Sequence, residues 1–155
     1  MTAEDDIRHL LLSLLQGFYW FDEGLQNYFQ ARGWPSVTRP QSMVMANIAL
    51  GVRRPSEIAR RLGVSRQAIH ATLGQMTELG IVALRDDPTN GRVKEVVVTE
   101  LGERMRRDAQ RAMVLMGEEL GRRLGHSAVL KAAHLLNGDW GEPMTFDPAE
   151  VGRHD

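Results

Sequence analysis

The chain has 155 residues, a net charge of −1 and a hydrophobic fraction of 43%, which are ordinary values for a soluble globular protein. Cysteine is absent, and this excludes disulfides, thiolate metal sites and thiol-based redox sensing. The apolar stretch 10–21 is interrupted by polar residues and too short to span a bilayer, and acidic residues precede it where a signal peptide carries positive charge. A cytoplasmic protein without membrane contact is predicted.

Residues 1–36 are predicted to form an N-terminal dimerisation helix. Thr2 and Asp5 match a capping box, and Gly33 and Pro35 end the helix pattern. Apolar residues recur at alternating spacings of four and three, namely Ile7, Leu11, Leu14, Phe18, Phe21, Leu25 and Tyr28. Because so short a chain offers little cover for this much apolar surface, part of the cover is expected from a second subunit.

Residues 37–99 have the pattern of a winged helix-turn-helix, whose second helix can enter a DNA major groove. Two amphipathic helix patterns occupy about 55–79. Between them, Gly63 suits a helix end that needs positive φ, and the Ser65 hydroxyl can cap the second helix. In that helix, Ile69, Leu73 and Met76 recur at i, i+4 and i+7, which predicts one buried stripe over 66–78.

Turn chemistry at 87–91 separates two short apolar segments and predicts a β-hairpin wing, with Asn-Gly at 90–91 as the strongest short hairpin signal. Residues 100–138 are predicted to form C-terminal dimerisation helices, the second of which Ser127 could cap. Residues 139–155 are rich in Gly, Pro and Asp and are predicted to be a flexible tail. The expected fold is mainly α with a small β-hairpin wing, a winged helix-turn-helix flanked by long dimerisation helices.

The segments LGVSRQAIHATLGQMTELGIV (62–82) and NGRVKEVVVTELG (90–102), with the long first helix and the closing helices, resemble the MarR family of winged helix-turn-helix transcriptional regulators. The resemblance covers about residues 5–137. It implies a homodimer that binds a palindromic operator and is released by a small, often aromatic, ligand. The family commonly carries Asp-x-Arg at the wing, where this chain has Asn90-Gly91-Arg92, so any carboxylate that orients Arg92 would have to be another one, such as Asp86 or Asp87.

The candidate DNA contacts lie at the start of the second helix, in the wing and before the first helix. They are Ser65, Arg66, Gln67, His70, Ala71, Arg92, Lys94, Arg53 and Arg54. Gln and Arg can make bidentate contacts to base edges, and a wing Arg suits the negative potential of a narrow minor groove. Residues 53–94 carry eight basic and four acidic side chains, which is a modest basic patch. The alternative interpretation is a solvated helix face.

Aromatic and Met residues at helical spacing suggest a ligand site, formed by Phe18, Trp20, Phe21, Trp34, Met43 and Met45. The same residues could instead be dimer core. His9, His126, His134 and His154 match no zinc spacing, and no catalytic motif occurs, so neither a metal, a cofactor nor an enzyme is predicted.

The predicted function is DNA-binding transcriptional regulation, as a repressor, by a homodimer that binds a pseudo-palindromic operator in double-stranded DNA. The dimerisation residues are predicted to be Ile7, Leu11, Leu14, Phe18, Leu130 and Leu135. Two alternatives stay open at this point. One is a winged-helix protein–protein interaction module without DNA binding, and the other is a constitutive DNA binder with no ligand.

Overall fold

The computed structural model describes residues 2–152 and confirms a mainly helical fold with one two-stranded antiparallel hairpin. No helix in this part of the chain is long and apolar enough to cross a membrane. The elements in chain order are α1 (Ala3–Ala31), α2 (Arg39–Ala49), α3 (Pro55–Leu62), α4 (Arg66–Glu78), β1 (Val82–Asp87), β2 (Asn90–Val98), α5 (Glu100–Leu124), α6 (His126–Leu136) and α7 (Pro148–Val151).

Most helix ends are where the capping chemistry predicts them. Thr2 and Thr38 each form a complete capping box, with Asp5 and Gln41 respectively. The turn between α3 and α4 places Gly63 at φ 65°, in the left-handed region, and the Ser65 hydroxyl accepts the Ala68 N–H at 3.0 Å. The prediction for Ser127 is wrong, because α6 begins at His126 and Gly125 is its N-cap.

The core gathers around the helix-turn-helix. One face of α4 is fully buried through Ile69, Leu73 and Met76, and it packs with the similarly buried Ile58 of α3 and Val44 of α2. The root of the hairpin closes the same core, with Ile81, Val82 and Val96 each 2% exposed or less. Burial of this one stripe leaves the opposite face of α4 in solvent.

The hairpin pairs Val82 with Val98 at its base and Asp86 with Lys94 near its tip, and its register shifts between Asp86 and Asp87. The turn is shorter than the predicted span 87–91, because Asn90 and Gly91 already belong to β2. Gly91 does not adopt a positive φ, so an Asn-Gly turn of the primed type is not formed. An Asp-Pro-Thr turn prevails, in which the Asp87 carboxylate accepts the N–H and the hydroxyl of Thr89.

The chain divides into two compact units, one ending at Met116 and the other beginning at Gly117, within α5. The first unit contains the winged helix-turn-helix and exposes Ile7 and Leu11 on α1. The second unit contains α6, none of whose residues is buried within the described chain, and it exposes Leu130 and Leu135. Each unit therefore presents apolar side chains that the single chain leaves uncovered.

Candidate nucleic-acid interface and ligand cavity

The outer face of α4 presents the side chains predicted to contact DNA. Arg66, Gln67, His70 and Ala71 are exposed, and Ser65 lies at the N-cap. Among residues 2–152, no hydrogen bond or ion pair occupies the side chains of Arg66, Gln67 or His70, so their donors and acceptors are available to a partner. The N-terminus of α4 also favours a phosphate group, because its first N–H groups point outward.

Of the predicted cations in the wing and just before α3, two are ion-paired and, within residues 2–152, Arg92 is not. Lys94 forms an ion pair with Asp86 at 2.5 Å, and Arg54 forms one with Asp87 at 2.8 Å, so each has a carboxylate beside it. Arg92 is exposed, and its backbone N–H donates to Asn90 Oδ1 at 3.2 Å. The expectation that Asp86 or Asp87 orients Arg92 is wrong, because Lys94 and Arg54 occupy those carboxylates.

Asp87 ties the wing to the helix-turn-helix. Its side chain is 4% exposed and accepts the Thr89 N–H at 2.8 Å, the Thr89 hydroxyl at 2.7 Å and Arg54 Nη2 at 2.8 Å. These hydrogen bonds, first those from Thr89 and then that from Arg54, hold the pKa of Asp87 well below its usual range. The sequence signal for this contact is the Asp-Pro-Thr turn. The sequence predicts that segment only as a turn and does not predict that Asp87 binds Arg54.

The Asp87→Asn variant is expected to lose less of its free energy of unfolding than the wild type when the pH falls from about 5 to about 2. A carboxyl group whose pKa is lowered by folding stabilises fully above its unfolded pKa of about 3.9, and this stabilisation is lost as the pH falls toward the folded value. Urea unfolding at several pH values measures the difference. Thr89→Val, which removes the hydroxyl donor but keeps the backbone N–H, should lie between the two. Parallel pH profiles for all three proteins would contradict this role of Asp87.

A largely apolar cavity of about 430 Å³ lies between α1, α2 and α5 in the first unit. Of the six predicted ligand residues, Phe18, Phe21 and Met45 line it. The other three, Trp20, Trp34 and Met43, do not line it. Sequence reasoning missed several lining residues whose spacing is that of an ordinary core stripe, namely Leu25, Phe29, Val37, Met105 and Ala109.

These three residues lie in other surroundings. Trp34 donates its indole N–H to Asp108 at 2.8 Å, and Trp20 packs edge-on against Phe21 with ring centroids 5.0 Å apart. Met43 is at the surface of α2, two residues before Met45, and this spacing places the two side chains on different faces of the helix. Asp108 is buried and also accepts from Arg32 and Arg111. Its pKa is lowered, chiefly by the Trp34 hydrogen bond.

Polar contacts connect the cavity wall to α4. Asp22, which lines the cavity, is buried and accepts from Arg39 Nε at 3.0 Å, and the Arg39 guanidinium lies 4.4 Å from the centre of the Tyr19 ring. Two residues along α2, Gln41 donates to the side chain of Gln75 on α4 at 3.3 Å. A displacement of α2 would therefore alter the contact between Gln41 and Gln75 on α4.

No group of three or more His, Asp or Glu side chains within residues 2–152 is placed to hold a metal ion. His154, which was considered in the metal-site prediction, lies outside the described residues.

The fold and the exposed face of α4 define a winged helix-turn-helix protein. Residues 36–93 match the model of the MarR family. A search of curated protein sequences finds no match.

Three solved structures illustrate the likeness of fold. A MarR-family transcriptional regulator from Rhodococcus sp. RHA1 is 21% identical, with a TM-score of 0.57, and the match covers 88% of this chain and 94% of that one. CouR from Rhodococcus jostii RHA1, solved with p-coumaroyl-CoA, is 20% identical, with a TM-score of 0.60 and coverages of 88% and 93%. NadR, solved with 4-hydroxyphenylacetate, is 15% identical, with a TM-score of 0.60 and coverages of 81% and 87%.

The predicted resemblance to the MarR family is thereby confirmed. The chain is MarR-like in sequence over residues 36–93, and over most of its length it has the fold of the family's transcriptional regulators.

Proposed function

We propose that this protein represses transcription by binding a pseudo-palindromic operator as a homodimer, and that a small aromatic ligand releases it. The observation that supports this most directly is the division of α4 into two faces. One face is locked into the core by Ile69, Leu73 and Met76, while Arg66, Gln67 and His70 stand exposed and without partners in the described chain on the other. A rigid helix with an open polar face is what groove recognition requires.

In this proposal, residues 66–78 enter the major groove and residues 86–94 follow the neighbouring minor groove. Gln67 and Arg66 would contact base edges, and Arg92 would enter the minor groove. Arg53 would contact phosphate, while Arg54 and Lys94, already paired with carboxylates, would contribute less net attraction. A two-fold symmetric dimer would place its half-sites about 34–36 Å apart, one helical turn.

The proposed dimer covers the apolar side chains that each unit exposes. On α1 these are Ile7 and Leu11, with the half-buried Leu14 beside them, and on α6 they are Leu130 and Leu135. Phe18 lines the cavity, so only the part of its side chain that faces away from the cavity can contribute to the interface. The proposed domain limits are 1–36 and 100–138 for dimerisation, 37–99 for DNA binding and 139–155 for the tail.

Ligand release is supported by the apolar cavity and by the hydrogen bond that joins α2, which lines the cavity, to α4. A volume of about 430 Å³ lies within the range of small-molecule sites. A ligand can shift the protein only by binding one form more tightly than the other. The Gln41–Gln75 hydrogen bond provides a physical link through which a displaced α2 would alter α4. CouR and NadR, which share the fold, were solved with p-coumaroyl-CoA and 4-hydroxyphenylacetate respectively.

Gln67→Ala is expected to weaken binding to the selected operator by about 1–3 kcal/mol and to leave binding to random DNA nearly unchanged, because base-edge contacts act only on the cognate sequence. Arg92→Ala should weaken binding to both and reduce the salt dependence by about one unit for each phosphate that the variant no longer neutralises. The operator is first selected from a random duplex library, and affinities are then measured by fluorescence anisotropy at several salt concentrations.

Gln30→Ala, which changes an exposed glutamine on α1, serves as the matched control and should have no effect. Equal losses on operator and random DNA for Gln67→Ala would show that Gln67 does not read bases. If the wild type retains no duplex in a salt-dependent manner, DNA binding is excluded and a protein-docking role takes its place.

A further inference from the structure

The tail, residues 139–155, combines acidic residues with exposed apolar side chains. It carries five acidic residues and one basic one. Trp140 and Phe146 are both 64% exposed, and Met144 is exposed as well. Neither the proposed DNA contacts nor the proposed ligand site uses any of these side chains. Because aromatic residues and Met are enriched in protein–protein interfaces, this composition is typical of a segment that docks on another surface.

Local hydrogen bonds order the described part of the tail. Trp140 donates its indole N–H at 3.1 Å to a carbonyl in the last turn of α6, and the carboxylates of Asp139 and Asp147 each accept a backbone N–H at 2.8 Å. Glu142 and Glu150 are exposed, and their side chains form no hydrogen bond or ion pair within residues 2–152. These two carboxylates are therefore available to a partner.

A surface of the opposite charge lies on α5. Arg104, Arg107 and Arg111 follow one another at spacings of three and four residues, so they share one face of the helix, and all three are exposed. Leu115 continues this face by one more turn and is exposed too. We call these four residues the basic stripe.

The basic stripe has an excess of positive charge. Arg111 is paired with the buried Asp108 at 3.0 Å, but the same carboxylate is also paired with Arg32 at 3.1 Å. Arg104 and Arg107 form no ion pair within the described residues 2–152. Four guanidinium groups therefore have one carboxylate within ion-pair distance, and a surface of this charge attracts an acidic partner.

We propose that the tail of each protomer docks on the basic stripe of a second copy of the chain. The free carboxylates of the tail pair with the arginines of the stripe, and its exposed apolar side chains cover Leu115. The tail follows α6, a proposed dimerisation helix, so the packing of α6 in the dimer brings the tail to the surface of the partner. This inference rests on the proposed homodimer and extends its interface beyond α1 and α6.

Because the chain has no cysteine, cross-linking between two introduced cysteines tests the docking directly. One full-length chain carries Met144→Cys in the tail, and another, with a different affinity tag, carries Leu115→Cys in the basic stripe. The two chains are co-expressed, the mixed dimer is purified through both tags, and a short bis-maleimide is added. Rapid cross-linking between the chains is expected. Leu50→Cys in place of Leu115→Cys is the matched control and should react slowly, since Leu50 is equally accessible but lies on α2.

Charge reversal shows whether ion pairs hold the tail in place. Arg104→Glu with Arg107→Glu, on the chain that carries the stripe cysteine, should slow cross-linking about fivefold, the scale of a few exposed ion pairs. Glu142→Arg with Glu150→Arg, on the chain that carries the tail cysteine, should then restore the rate. These two glutamates are chosen because their side chains support no turn or helix cap within the tail.

Arg60→Glu with Arg61→Glu changes two exposed arginines of α3 and is the matched control for charge, so it should leave the rate unchanged. Three results would overturn the inference: equal rates for Leu115→Cys and Leu50→Cys, an unchanged rate after reversal of the stripe, or the same loss in the α3 control. In each of these cases the purified mixed dimer leaves the proposed homodimer intact. If no mixed dimer forms, the homodimer and the docking of the tail fail together, while DNA binding is judged by its own experiment.

Discussion

Leu11→Glu is expected to convert the protein from a dimer at about 10 μM into a monomer. Leu11 is 74% exposed in the single chain, so the fold of the chain itself does not depend on it. In the proposed interface, however, the glutamate would bury a charge without a partner, at a cost of several kcal/mol per subunit. Size-exclusion chromatography with light scattering measures the change, and circular dichroism shows whether the helices remain.

Leu50→Glu is the matched control, because Leu50 is 72% exposed but lies at the end of α2, outside the proposed interface. It should stay dimeric. Leu130→Glu extends the test to α6. A monomeric wild type, or a Leu11→Glu variant as dimeric as the wild type, would refute the assigned role of α1.

Gly102→Ala is expected to lower the free energy of unfolding by roughly 3 kcal/mol, although alanine ordinarily stabilises a helix relative to glycine. A Cβ at this position would clash with the backbone carbonyl oxygen of Ile81 and lie 2.7 Å from Val98 Cγ1. The carbonyl cannot withdraw, because it accepts the Thr99 N–H at 3.1 Å, and the Thr99 hydroxyl accepts the Gly102 N–H at 3.1 Å.

Urea unfolding measures this effect, and Gly117→Ala is the control on the same helix. A Cβ at Gly117 meets no atom within 4 Å, so that variant should gain up to about 1 kcal/mol from helix propensity. A Gly102→Ala variant as stable as the wild type would mean that α5 can move away from the hairpin base at no cost in stability.

The helix-turn-helix was predictable from sequence because each of its determinants is local. The spacing of Ile69, Leu73 and Met76 specifies one buried face, and Gly63 and Ser65 mark the ends of α3 and α4. The predicted span 66–78 is the observed Arg66–Glu78. Local patterns of this kind carry their own geometry, so they can be interpreted without knowledge of the rest of the fold.

The turn and the ligand cavity were harder to predict, since each depends on contacts between distant segments. Asp87 is held partly by Arg54, 33 residues earlier, and Trp34 donates a hydrogen bond to Asp108, 74 residues later. The helical spacing separates Phe21, which lines the cavity, from Trp20 beside it, but it does not distinguish a cavity wall from a dimer core. Composition identified which residues could form a pocket, but only tertiary packing decides which of them do.

The attachment of Asp87 to Arg54 bears on the thermodynamics of the proposed DNA contact. A hairpin tip that moved freely would lose about 1–2 kcal/mol of conformational entropy per residue when it became ordered on DNA. Here the tip is already held by Thr89 and Arg54, and the Arg92 N–H is bonded to Asn90. Part of this ordering therefore takes place when the chain folds, and in the proposed complex the wing would meet the minor groove preorganised. A variant that loosens Asp87 would weaken DNA binding even though every side chain that touches the nucleic acid is still present.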